Sequence, residues 1–308
     1  GNVFGGGGGA NRYDISGGKK HLSISSGRVF GDTYVTVNGG QVCHNVYGGG
    51  AIASIGTYAI GSVNPYVSGG HAHVNIYGGT IGVNGDENGM VFGSGRGQID
   101  SIGAYLDSLS FAALTTVNIG NPEDSGDGPI VKGSVYGGGE NGHVYLKSLV
   151  NVNKGTVGCT AEEYAAMSDE DKINKFPYRG NVYGGGCGTD KFDTDGDGVG
   201  DTYNPMSGIV YGDAEVNING GYISRNVYGA GAMASVGYYL ATEPAERHLG
   251  DTLSWPVVLD FSMGGKTEVN ITGGHIGTAA LANVPLATGC VYGATRGDVG
   301  DRYKMAKL

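Results

Sequence analysis

The sequence predicts an all-β fold, a parallel β-helix solenoid of about six three-stranded coils. Two interleaved phrases and a placed excess of glycine predict it. The first phrase, Val-Tyr-Gly-Gly-Gly with small variations, falls at Val3-Phe4, Val46-Tyr47, Val91-Phe92, Val135-Tyr136, Val182-Tyr183, Val227-Tyr228 and Val291-Tyr292. The second, Val-Asn-Ile-x-Gly-Gly, falls between its copies at Val35-Thr36-Val37, Val74-Asn75-Ile76, Val117-Asn118-Ile119, Val150-Asn151-Val152, Val216-Asn217-Ile218 and Val269-Asn270-Ile271. Glycine makes up 63 of 308 residues but follows no Gly-X-Y period, and proline is only 8, which excludes a collagen helix.

Each phrase predicts a strand for a physical reason. Val-Tyr is a β-branched residue beside an aromatic one, and the glycines after it are expected to supply positive-φ corners. In Val-Asn-Ile, alternation sends Val and Ile to one face and Asn to the other, the pattern of a half-buried strand. A third phrase is expected to complete each coil, at Ala53-Ser54-Ile55-Gly56, Asp100-Ser101-Ile102-Gly103 and Ala234-Ser235-Val236-Gly237, with worn versions at Gly142-His143-Val144 and Asp298-Val299-Gly300. The tightest repeats give a minimum coil of about two dozen residues, and stacked coils would make a rod core of only ~30 Å. A single domain is expected over 1–300, with 301–308 beginning a C-terminal cap or tail. The opening of the chain in mid-coil predicts a segment of a longer polypeptide.

Insertions are expected at 57–72, 104–116, 160–176, 187–208 and 238–266. Three of them leave directly after the third phrase, so they are expected to share an edge, each with an aromatic at one register: Tyr58, Tyr105 and Tyr239. Tyr66, Tyr238, Trp255 and Phe261 add rings in the same loops. Such a row suits stacking against sugar faces, with glycans or other surface polymers as partners. Sealing the loops onto the coils is the alternative use of the same rings. The 160–176 stretch predicts a short surface helix or two, with Thr160 as cap and Glu in the first turn.

The run Asp193-Thr194-Asp195-Gly196-Asp197-Gly198-Val199-Gly200-Asp201 alternates carboxylates with residues that let the backbone curl, as a hard cation requires. Ca²⁺ is the expected ion, held by side chains of Asp193, Asp195 and Asp197, the carbonyl of Val199, and Asp201 through its side chain or a bridging water. Asn204 stands at the twelfth position, where a bidentate Glu would give a tighter site. These dozen residues resemble the calcium loops of thrombospondin type 3 repeats and dockerin modules, and the role expected of the ion is structural.

Other signals exclude more than they assign. A net charge of −10 without clustered Lys and Arg argues against nucleic acid, and no apolar run is long enough to span a membrane. Cys43, Cys159, Cys187 and Cys290 fit no zinc or redox spacing. They are expected to pack as small apolar residues, or one pair, such as Cys159 with Cys187, to form a disulfide. His71 and His73 could face one way without a third ligand. Catalysis is not expected on the coil, because the outward positions carry Asn38, Asn75, Asn118, Asn151, Asn217 and Asn270, and amides cannot transfer protons at neutral pH. The loop with Glu243, Glu246, Asp251 and Trp255 is the place for a carbohydrate-active alternative.

Taken over nearly its whole length, the chain resembles the glycine-rich Val-Tyr-Gly-Gly-Gly repeat proteins of the surfaces of gut Bacteroidetes and some Firmicutes. That resemblance implies an extracellular or cell-surface adhesin, stalk or filament component, with self-association through coil ends as one possibility.

Overall fold

The computed structural model describes residues 1–9, 13–15, 19–21, 25–59, 66–84, 88–97, 110–174, 179–188, 191–192, 202–203, 207–241, 259–278 and 288–296. The fold is an all-β parallel solenoid. Its first ladder is a seven-stranded parallel sheet of the Val-aromatic phrases in chain order, Val3–Phe4, Val46–Tyr47, Val91–Phe92, Val135–Tyr136, Val182–Tyr183, Val227–Tyr228 and Val291–Tyr292. Each Val pairs with the next Val and each ring residue with the next ring residue, without slippage.

The second ladder carries Val-Asn-Ile. Its strands Thr33–Val42, His71–Ile81, Phe111–Ile119, His143–Val152, Asp213–Ile218 and Thr267–Ile271 pair in parallel, again in chain order. Because the period along a strand is two, alternate residues face inward, and this inward set joins the Val of the first ladder and the aliphatic residues of the third side in one continuous core of Val and Ile. Fully burying each such side chain contributes roughly 1.5–3 kcal/mol.

The third side of the coil differs from the sequence expectation. It is built immediately after the second phrase, by Thr80-Ile81 at the end of the His71–Ile81 strand and by Ile130–Val131, Thr156–Val157, Tyr222–Ile223 and His275–Ile276. The Ala-Ser-Ile-Gly phrases instead contribute single bridges, Val29 to Ile55 and Val210 to Val236. His143 and Val144 begin a second-ladder strand, paired with Phe111 and Ala112. Residues 100–103 and 298–300 lie outside the described residues. A Gly-Gly-x-Ile/Val string is short enough to pass for the closure of the phrase before it, which is why the true third strand was not legible.

Glycine works in two ways, not one. The glycines that follow the aromatic residue do not have positive φ; they are needed because successive corners stack directly. A Cβ on Gly137 would lie 2.1 Å from the Gly184 carbonyl oxygen, too close for any side chain. Positive φ belongs to corners around the second and third strands, as at Gly155, whose φ is +94°.

Thr57–Tyr58 pairs antiparallel with Tyr66–Ser68, and Tyr238–Ala241 with Leu259–Met263. Residues 111–116, expected within an insertion, belong to the Phe111–Ile119 strand of the coil. Two helices, α1 (Ala161–Ala166) and α2 (Asp169–Asn174), fill the helical insertion. Thr160 and Glu163 form the reciprocal capping box on α1. No helix among the described residues is long and apolar enough to cross a membrane.

Candidate functional site

The coil has a regular outward face on the second ladder. Register places Thr36, Asn75, Asn118, Asn151, Asn217 and Asn270 in one row. Asn38, expected in that row, pairs with Gly78 one bulge further on, and Thr36 takes its place. The amides form a one-way ladder. Nδ2 of Asn118 donates to Oδ1 of Asn75 at 2.8 Å, Asn151 to Asn118 at 2.9 Å, Asn217 to Asn151 at 3.0 Å and Asn270 to Asn217 at 3.0 Å. A second, shorter row continues it, with Asn219 donating to Asn153 at 2.9 Å. In-register stacking makes this possible because strand spacing matches the reach of one amide to the next.

Beside the amides runs a row of graded chemistry: Tyr34, His73, Thr116, Leu149, Glu215 and Glu268. At one end the Tyr34 and His73 rings stack at 4.6 Å, and His71 lies 3.7 Å from His73. The His71 ring nitrogen Nε2 is 2.9 Å from Thr116 Oγ1. Burial lowers the pKa of both histidines, and the His73 charge adds to the effect on His71. At the other end Lys147 Nζ donates to Glu215 at 2.5 Å and Lys266 Nζ to Glu268 at 2.6 Å. Those ammonium groups, with the Asn217 and Asn270 amides, hold both carboxyls below their ordinary range. Neither therefore carries a proton at neutral pH. The face can offer donors and acceptors to a polyhydroxylated chain. Sequence reasoning missed Lys147, Glu215, Lys266 and Glu268; their signal was position, one or three residues before the phrase on the same outward parity.

The opposite outward surface is covered. The first-phrase rings Phe4, Tyr47, Phe92, Tyr136, Tyr183, Tyr228 and Tyr292 stack in one file with centroids 4.6 to 5.0 Å apart. Over this file lies a column set by the residue that follows each glycine corner, including Arg96, Glu140, Cys187 and Arg296. Tyr47 Oη donates to Glu140 at 2.6 Å, and Arg96 Nε lies 3.6 Å from the same carboxylate. Burial raises the Glu140 pKa and pushes the Cys187 thiol up to about 12, so that thiol is no nucleophile. All four cysteines are free; Cys159 and Cys187 are separately buried and form no disulfide.

Of the expected glycan row, Tyr58 and Tyr66 are described in full. Tyr58 is T-shaped to Tyr66 at 6.2 Å, tilted against Phe111 at 5.5 Å and covered by the Arg28 guanidinium at 5.6 Å. Its hydroxyl is buried with no partner among the described residues, and burial raises its pKa. Tyr66, half-buried, stacks on Tyr145 at 6.3 Å. Tyr105 and Trp255 lie outside the described residues, and only the backbones of Tyr238 and Tyr239 are described, in a hairpin.

The carboxylates expected to hold calcium, Asp193, Asp195, Asp197 and Asp201, lie outside the described residues, as do Val199 and Asn204. What is described is the base of their loop, where Lys191–Phe192 pairs antiparallel with Thr202–Tyr203. Among the described residues no group of three or more His, Cys, Asp or Glu is arranged to hold a metal. Comparison of the chain with protein-family models, with curated proteins and with solved structures found no match in any of the three.

Proposed function

We propose that the chain is a structural and adhesive rod of a bacterial surface, one that holds glycans along its outside. The observation that carries this reading is the unbroken amide ladder from Asn75 to Asn270. It gives a stiff surface with donors and acceptors repeated at strand spacing, which suits a polymer of repeated hydroxyls better than a single small molecule. Tyr58 and Tyr66 are taken up by packing on Phe111, Arg28 and Tyr145, so ring stacking in the same proposal falls to Tyr105, Tyr238, Tyr239 and Trp255.

Calcium belongs to the proposal as a structural ion. A hairpin base at 191–192 and 202–203 draws together the two ends of the segment with Asp193, Asp195, Asp197 and Asp201, whose like charges repel until a cation neutralises them. The carbohydrate-active alternative belongs to the 238–266 loop, and its Glu243, Glu246, Asp251 and Trp255 lie outside the described residues.

The test is native electrophoresis of the 308-residue protein, with calcium, through gels cast with different polysaccharides and then stained for polysaccharide. Retardation in some gels without clearing is the expected result. A cleared track would overturn the adhesive reading in favour of an enzyme, and unretarded migration in every gel would remove glycan binding.

A further inference from the structure

Over part of its length the amide ladder spends only half of its hydrogen-bonding capacity. An Asn carboxamide has two N–H donors and two oxygen lone pairs. Asn118 uses one donor on Asn75 Oδ1 at 2.8 Å and one lone pair on Asn151 Nδ2 at 2.9 Å; Asn151 uses one donor on Asn118 and one lone pair on Asn217 Nδ2 at 3.0 Å. Asn75 likewise donates once, to Thr36 Oγ1 at 3.4 Å, and accepts once, from Asn118. Each of the three keeps one N–H and one lone pair without a partner among the described residues.

The planar amide decides where that spare pair points. Along the ladder the N–H is directed to the preceding coil and the C=O to the following one, so the N–H in use is trans to the oxygen. The remaining N–H is cis to it. With the spare lone pair it forms a fork that opens on the side opposite Cβ, away from the strand, and all three residues are half-buried, not covered. On the next two rungs the fork is closed. Asn217 Nδ2 also donates to Glu215 Oε1 at 2.9 Å and Asn270 Nδ2 to Glu268 Oε1 at 3.2 Å, so neither has an N–H left. The residue two positions earlier makes the difference: His73, Thr116 and Leu149 precede the open forks, Glu215 and Glu268 the closed ones.

A donor and an acceptor side by side need a partner with an acceptor and a donor on adjacent atoms. A carboxylate has no donor at neutral pH, and a net charge of −10 opposes a polynucleotide, whose adenine edge would otherwise fit. Two hydroxyls on neighbouring sugar carbons do fit, one accepting from the Asn N–H while the other donates to Oδ1. We propose that Asn75, Asn118 and Asn151 bind unsubstituted vicinal diols of a neutral glycan laid along the rod. The inference rests on the glycan-binding reading above and narrows it to one chemical feature and one stretch of the face. Forks recurring at strand spacing, about 4.8 Å, let a chain along the rod meet more than one of them.

Native electrophoresis through gels containing galactomannan, xyloglucan or soluble starch tests it, since all three are neutral polymers with vicinal hydroxyls. Each is also used after periodate oxidation and borohydride reduction, which cleaves the carbon–carbon bond between vicinal hydroxyls and leaves alcohols. The wild type is expected to be retarded by at least one native polymer and not by its oxidised form. Two variants change the forks while leaving every rung of the ladder in place. Thr116→Glu puts a carboxylate where it closes the Asn118 fork and is expected to weaken binding about tenfold; Glu215→Thr opens the Asn217 fork and is expected to tighten it. A purely structural role for these positions gives no such gain. Retardation that survives periodate, or folded variants in which Thr116→Glu binds as well as the wild type or Glu215→Thr binds no better, overturns the diol assignment and leaves glycan binding standing. Circular dichroism melts establish folding, and the periodate arm decides on the wild type alone if a variant does not fold. Free migration through all three native gels overturns the assignment together with the reading on which it rests.

Discussion

Single side chains divide into those that stack and those that are merely covered. Tyr183 is 1% exposed and stacks between Tyr136 and Tyr228, so Tyr183→Ala removes contacts on both sides at once. Denaturant unfolding should show a loss of about 3–5 kcal/mol, the usual cost of truncating a buried ring. Tyr58→Phe should behave differently, since its hydroxyl is buried without a partner among the described residues. Stability should be unchanged or raised, and a clear loss on unfolding would mean that a partner for this hydroxyl exists. Histidine titration sets a third expectation. His71 and His73 have folded pKa values below the 6.5 of the unfolded chain, so the folded state binds protons less readily. Their contribution is complete above that value and is lost as pH falls through it, which thermal melts from pH 8 to pH 5 should show as a falling midpoint. The replacement His71→Gln with His73→Gln should flatten that slope.

At the scale of the element, the ladders succeed because the same residue type recurs at the same height. Asn151 sits between Asn118 and Asn217, donating to one and accepting from the other. Asn151→Leu leaves two half-buried amides without their partner and should cost about 1–3 kcal/mol in denaturant unfolding, while a neutral result would show that the ladder is ornamental to stability. The strand identities of the first two phrases were legible in the sequence because Val-aromatic and Val-Asn-Ile each contain enough alternation to define a face. Third-side pairs such as Thr156–Val157 are only two residues long and carry no alternation, so nothing distinguished them from the turn they follow. The helix start was legible for the opposite reason: the Thr160 and Glu163 capping box is a local device that depends on no distant partner. The outward acids and lysines were not legible as a group, since Lys147, Glu215 and Glu268 are far apart in sequence and meet only through the parallel register. Even the glycine corners were only half legible, because close stacking of Gly137 on Gly184 leaves the same mark in a sequence as a positive φ.

For the whole molecule, strands pair only with those of neighbouring coils, so stiffness comes from repetition of one register over the length of the stack, and the Tyr47 to Glu140 hydrogen bond adds a tie across an intervening coil. Side-chain hydroxyls reinforce that register from within: Thr33, Thr115 and Ser148 each donate to the first glycine carbonyl of a coil corner, at 2.7, 2.6 and 2.6 Å. Calcium should matter at this scale through one loop alone; removing it with a chelator is expected to lower the melting midpoint and to open the 193–201 segment to proteolysis while leaving the ladders intact. The central claim is that the Val-aromatic and Val-Asn-Ile strands form one cooperative rod in a single register. Native-state hydrogen exchange tests it most directly. Amides of Val91, Val135, Val182 and Val227 should exchange together, only through global unfolding. Fast or widely scattered exchange among the four inner amides would contradict the account.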